Sequence, residues 1–136
     1  MILGFLGTGR ISSSVIEGIF KSNLKIKKIY ISSRNRVIAN KLSKRFKKIT
    51  ITRNNQQLID KSNWVFLAVT LKVGNKILRK LHFKKKQKII SFISTINLAQ
   101  LKKLIGRNSN IIRAIPLPPI SIRKGPIPIC PPDKNV

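Results

Sequence analysis

Acidic side chains are almost missing from this sequence. Glu17, Asp60 and Asp133 are the only carboxylates, and His82 is the only histidine. That scarcity removes paired-carboxylate acid–base sites, a Ser-His-Asp triad and a carboxylate cage for a metal. Any redox or transfer chemistry must therefore come mostly from a cofactor. Cys130 is the lone cysteine, which excludes an internal disulfide and a cysteine-based zinc site and suits a reducing compartment. The apolar runs, such as residues 64–69, have the length of strands and fall far short of the ~20 residues that span a bilayer. The first residues are apolar but carry no basic flank, and they meet Gly7, Gly9 and Arg10 too early for a signal-peptide core. These features predict a cytoplasmic protein with no membrane segment.

Positive charge is what the chain has in excess: 29 Lys+Arg against 3 Asp+Glu, a net +26 and a pI near 11.8. Clustered cations bind polyanions by releasing counterions from phosphates. Compositional drift offers a blander explanation. Ile, Lys and Asn make up about 40% of the chain, and all three have AT-rich codons. Binding to nucleic acid requires neither the Ile nor the Asn. The basic residues also lie in nearly every segment, and runs such as Lys84-Lys85-Lys86 are short. Contact with nucleic acid is thus expected to be weak and non-specific. With 136 residues, 42% of them apolar, the chain can bury one core.

Strand-length apolar runs alternate with stretches of helical period. Residues 2–6 read as a buried strand, broken by Gly7-Thr8-Gly9. Ile11, Val15, Ile16, Ile19 and Phe20 then mark one helical face. Residues 29–32 form a second strand, and Val37, Ile38, Leu42 and Phe46 the inner face of a second helix. Further strands are expected at 49–52, 64–69, 89–93 and from Ile111 onward. Between them lie a short helix with Leu58 and Ile59, another with Val73, Ile77, Leu78 and Leu81, and a helix capped by Asn97. Gly106 should stop that last helix in the left-handed conformation. Beyond Pro116, the prolines 118, 119, 126, 128, 131 and 132 exclude a helix and leave edge strand and turns. The alternation predicts an α/β, Rossmann-type doubly wound parallel sheet with helices on both faces. Residues 1–115 would form the dinucleotide-binding domain and 116–136 a proline-rich tail.

The first strand runs into Gly7-Thr8-Gly9-Arg10-Ile11-Ser12, a G-x-G-x-x-S turn opening a helix. Gly7 allows the tight turn, Gly9 lets backbone approach a pyrophosphate, and Ser12 is small enough for close helix–strand packing. The pyrophosphate would rest on Gly7, Thr8, Gly9, Arg10 and Ile11. About 20 residues further on, an NAD site would place an acid for the ribose hydroxyl. Here stands Ser32-Ser33-Arg34-Asn35-Arg36. Arg34 can fork onto a 2′-phosphate while Ser33 and Asn35 donate hydrogen bonds, which favours NADP, with NADPH bound better than NADH. A loop in so basic a chain would contain arginine in any case, but the small polar run beside it is not explained by charge alone. His82 reads as a solvated or capping residue, Trp64 as packing and Cys130 as an inert small side chain.

Residues 2–10, Ser33-Arg34-Asn35, Val65-Phe66-Leu67-Ala68-Val69 and Arg113-Ala114-Ile115-Pro116, in that order, resemble the N-terminal NADP-binding domain of the pyrroline-5-carboxylate reductase family and its close NADP-oxidoreductase relatives. The resemblance implies that Ala68 and Val69 line the cofactor and that the segment from Arg113 approaches the nicotinamide. It also implies hydride transfer from NAD(P)H to a small cyclic imine in proline biosynthesis. Thr70-Leu71, Ser94-Thr95 and Leu117 depart from the family pattern, the last two near the hydride-transfer end. The helical dimerisation domain of the family is absent from the chain, which reads as the cofactor half, so a homo-oligomer or partner chain would be needed to complete the site. No catalytic side chain is assigned and no metal is expected. Two other readings stay open: a non-enzymatic basic polyanion- or nucleic-acid-binding protein on a Rossmann fold, and an inactive truncated reading frame.

Overall fold

The computed structural model describes residues 1–106 and 110–131. Pro132 and Asp133 lie outside the described residues. The elements alternate: β1 (Ile2–Leu6), α1 (Arg10–Phe20), β2 (Lys28–Ile31), α2 (Arg36–Arg45), β3 (Ile49–Ile51), α3 (Asn55–Lys61), β4 (Trp64–Leu67), α4 (Leu71–Ile77), β5 (Lys88–Ser91), α5 (Leu98–Ile105) and β6 (Asn110–Ala114). A 3-10 turn at Leu78–Lys80 extends α4, a second at Pro118–Ile122 follows β6, and β7 (Ile129–Cys130) ends the series. The sheet order is β3-β2-β1-β4-β5-β6-β7. The first six strands pair in parallel, and β7 joins β6 antiparallel. The chain thus winds outward from β1 in one direction and from β4 in the other. Their carboxyl ends form the switch point where ligands bind in such sheets.

Both faces of the sheet are covered, and each covering has its own core. On one face Leu3, Phe5, Ile29, Ile31 and Phe66 pack against Val15, Ile16, Ala39 and Leu42 of α1 and α2. The Phe5 and Phe66 rings stack at 4.4 Å. On the other face Leu6, Val65, Leu67 and Ile89 meet Leu58, Ile59, Leu78 and Leu101. Strands buried on both sides need continuous rather than alternating apolar sequence, which is why these runs were legible. Gly4 sits where a β-carbon would lie 2.3 Å from the Ser62 hydroxyl, so β1 and α3 can touch only through a residue without a side chain.

The abundant asparagines have a structural use. Asn35, Asn54 and Asn97 cap α2, α3 and α5, each accepting a backbone N–H from three residues on, and Thr70 does the same for α4. Each such cap stabilises a helix by ~1 kcal/mol. At α5 the cap is reciprocal, because Gln100 accepts the Asn97 N–H at 3.1 Å. Helix α1 differs: it starts at Gly9 with no side-chain cap.

Several expectations need correction. The strands are shorter than the apolar runs: β2 stops before Ser32, β4 before Ala68 and β5 before Phe92. Val37 is not part of the core face of α2 but 80% exposed, and Ile38, Ala39 and Leu42 turn inward instead. Gly106 has a positive φ of 105°, but its ψ of 144° is extended rather than left-handed helical. The tail does form a helical turn, because Pro118 and Pro119 occupy the first turn, where no N–H is required. That turn lies on α1 at Gly18, where a β-carbon would meet the Ile120 carbonyl at 2.4 Å.

Candidate functional site

The turn after β1 is held from three sides. Gly7 adopts φ +105°, and a β-carbon there would collide with the Ala68 carbonyl at 2.3 Å, so only glycine fits. Its N–H donates to the Ser32 hydroxyl at 2.9 Å, and its carbonyl accepts the Ser12 hydroxyl at 2.6 Å. Ser12 and Ser32 are both buried. The position occupied by Ser12 therefore does more than stay small: it ties the helix back to the turn. Gly9 faces open space, with no atom within 4 Å of where a β-carbon would stand.

This construction leaves the amino terminus of α1 unsatisfied. No acidic residue lies in its first turn and no side chain caps it. The free N–H groups and the helix dipole therefore present positive potential to the cleft above Gly9. The Thr8 hydroxyl is buried without a protein partner, which costs about 1–3 kcal/mol unless an acceptor arrives. Backbone donors, an open glycine and an orphaned hydroxyl together suit a pyrophosphate.

Gly7, Thr8 and Gly9 share one cleft of about 510 Å³ with Arg34, Asn35, Ala68 and Val69. Asn35 spends its carbonyl oxygen on capping α2, receiving the Ile38 N–H at 3.3 Å, so only its NH₂ group can serve a ligand. Ile11 packs on the core, which leaves its backbone N–H as its contribution to the turn. The Arg10 side chain lines a neighbouring groove between α1 and α2, beside Lys41 and Arg45. Arg45 is in turn paired with Glu17 at 2.7 Å. Ser33 lines a second pocket of about 340 Å³, to which Arg34 does not contribute. The loop after β2 is thus divided between two cavities.

Four cleft residues were not singled out for the site from sequence: Arg36, Val37, Thr70 and Val73. The exposure of Val37 explains its place, since its apolar side chain joins Val69 and Val73 in lining the cleft. Only the helix period could have hinted at this, because position 37 falls beside the buried stripe rather than within it. At the far end, Arg113 in β6 donates to the Ser94 carbonyl at 3.0 Å, while its Nε is buried without a partner. His82 is exposed and bonded through its backbone to Gln56, Trp64 opens β4 beneath Lys88, and Cys130 is exposed. Among the described residues no three His, Cys, Asp or Glu gather for a metal, and no helix is long and apolar enough to cross a membrane.

The sheet order, the glycine turn at its switch point and the bare helix end define a Rossmann-type dinucleotide-binding domain. The family model described as NADP oxidoreductase, coenzyme F420-dependent, matches residues 2–97, and the chain belongs to that family. Among solved structures, it is similar to a 1-pyrroline-5-carboxylate reductase from Streptococcus pyogenes, with 28% identity and a TM-score of 0.76 over 90% of this chain and 45% of that one. The Plasmodium falciparum pyrroline carboxylate reductase, solved with NADP bound, shares the fold at 22% identity and a TM-score of 0.81, over 100% of this chain and 49% of that one. The same fold recurs in the Coxiella burnetii pyrroline-5-carboxylate reductase at 21% identity and a TM-score of 0.83, over 98% and 51% of the two chains. The chain therefore spans about half the length of the structures it matches. A search of curated proteins gives no match.

Proposed function

We propose that residues 1–115 form the NADP(H)-binding domain of a reductase acting on a small cyclic imine of the pyrroline-5-carboxylate type, with 116–136 as its tail. The carrying observation is the uncapped start of α1 above an open Gly9, in a chain whose other α-helices among the described residues are capped by side chains. Membership of an NADP oxidoreductase family and likeness to pyrroline-5-carboxylate reductases support the reading. Bound NADPH supplies a hydride donor; the protein supplies binding and orientation. In this reading Gly7, Thr8 and Gly9, with the backbone at Arg10 and Ile11, hold the pyrophosphate. Arg34 meets the 2′-phosphate, the apolar lining at Val37 takes the adenine, and Ala68 and Val69 line the ribose side.

The cleft wall consists of glycine, alanine, valine, threonine, asparagine and arginine. That lining includes no His, Cys, Tyr, Lys, Asp or Glu to shuttle the proton that imine reduction requires. Groups from a second chain or a further segment would complete the substrate side. Calorimetric titration with NADPH, followed by a steady-state assay with the imine, tests both halves of the proposal. Saturable binding with turnover well below the usual 1–10³ s⁻¹ is expected. Absence of NADPH binding would refute the cofactor reading, and ordinary turnover by the chain alone would refute the incomplete substrate side.

A further inference from the structure

The second pocket, at the carboxyl ends of β2 and β3, has its own chemistry. Ser33, Arg36, Asn40, Thr52 and Arg53 line it. Two arginines, one opening α2 and one in the loop after β3, thus line one cavity of about 340 Å³. The two carboxylates among the described residues are engaged elsewhere: Glu17 pairs with Arg45, and Asp60 accepts from Gln56. Neither Arg36 nor Arg53 has an ion-pair partner among the described residues.

Arg36 is placed unfavourably for the helix it begins. It is the first residue of α2, at the positive end of the dipole, where a cation is repelled and an anion is held. Two guanidinium groups and a helix start around one cavity are relieved together by an anion of high charge density. The hydroxyl of Thr52 is committed to the Ile31 carbonyl at 3.3 Å, which turns Thr52 into wall rather than ligand. Ser33 and Asn40 keep donors for the pocket, and no hydrogen bond of either side chain occupies them among the described residues.

Arg36 also lines the dinucleotide cleft, so the two cavities meet at that residue. A dinucleotide lying in the cleft would have the edge of its adenosine ribose beside that junction. We infer that Arg53, from the loop after β3, is a specificity-determining residue that works with Arg36 to hold the 2′-phosphate of NADP from the side opposite Arg34. This inference rests on the proposed cofactor reading. It assigns part of the discrimination to a loop outside the β2 turn, the position where such selectivity is sought in sequence.

The test is calorimetric titration of the unmodified chain, Arg53→Gln and Arg53→Lys with NADP⁺ and NAD⁺, with thermal melting as the folding control. Arg53 is exposed, so melting should not change. Arg53→Gln is expected to weaken NADP⁺ about tenfold, as loss of one charge-assisted contact does, and to leave NAD⁺ within twofold. Arg53→Lys should recover part of the loss, because it restores charge without the planar fork. An unchanged NADP⁺/NAD⁺ ratio in Arg53→Gln would overturn the inference while leaving the cofactor reading intact. Equal weakening of both nucleotides would overturn it too, by showing a general field effect. Binding of neither nucleotide by the unmodified chain would refute both readings at once.

Discussion

The Ser32 hydroxyl accepts the backbone N–H of Gly7 at 2.9 Å, so the end of β2 fixes the turn that follows β1. Both groups are buried. Replacing Ser32 with Ala would leave a buried N–H without a partner. The expected loss is about 1–3 kcal/mol of stability, read as a lower melting temperature, together with weaker NADPH binding as the turn loosens. A variant with unchanged melting and affinity would show that the bond is dispensable.

Gly7 and Gly9 should respond in opposite ways. Gly7→Ala forces a side chain into φ +105° and against the Ala68 carbonyl, so it should destabilise the fold by about 1–3 kcal/mol or more. Gly9→Val adds its side chain to open space, where the protein itself offers no obstruction. That variant should keep the melting temperature within a few degrees and lose at least tenfold in NADPH affinity. Denaturation curves and titrations on the same two samples separate the effects. Similar behaviour in both variants would argue against a phosphate above Gly9.

Arg34 lies in the cleft and the cofactors differ only by the 2′-phosphate. NADPH is expected to bind at least tenfold tighter than NADH, and Arg34→Ala should weaken NADPH about tenfold with NADH nearly unchanged. Lys44 is exposed on α2, the helix that follows the Arg34 loop, and lines neither cavity, so Lys44→Ala serves as the control for the general field. Raising the salt should reduce both affinities through that field while leaving most of the Arg34 effect.

The net +26 should also be visible on its own. Duplex DNA is expected to bind at low salt without sequence preference and to be released steeply on approach to physiological salt. Fluorescence anisotropy across a salt series measures the slope. Sub-micromolar affinity for a defined sequence at physiological salt would instead favour selection for polyanion binding.

Most strands and helices were legible because both-face burial demands solid apolar runs and helices demand a 3.6-residue stripe. Residues 2–6 and 64–67 show the first, and Val15 with Ile16 and Ile19 the second. The ends were less legible. Ser32 and Ala68 continue a strand-like pattern, yet one receives the Gly7 N–H and the other brings its carbonyl against Gly7. The glycine turn could be recognised from spacing, since its geometry is local. The division of Ser33 from Arg34 could not, because which cavity a loop side chain faces depends on β3 and α2 packed around it. Asn35 illustrates another limit: a polar residue beside a phosphate-binding loop and a helix cap look identical in sequence. The helical turn of the tail is hidden in sequence for a related reason, as proline bars a helix interior but suits the first turn at Pro118 and Pro119.

Strand β7 has a further consequence for the behaviour of the protein in concentrated solution. An open sheet exposes unpaired backbone along its margins and can template the addition of foreign strands. Here one margin is a two-residue strand bracketed by Pro128 and Pro131, neither of which has an N–H to offer a newcomer. The other margin, β3, is three residues long and lies between Lys47-Lys48 and Arg53. Short, proline-bracketed and like-charged borders resist edge-to-edge aggregation, and so a chain rich in isoleucine can stay dispersed.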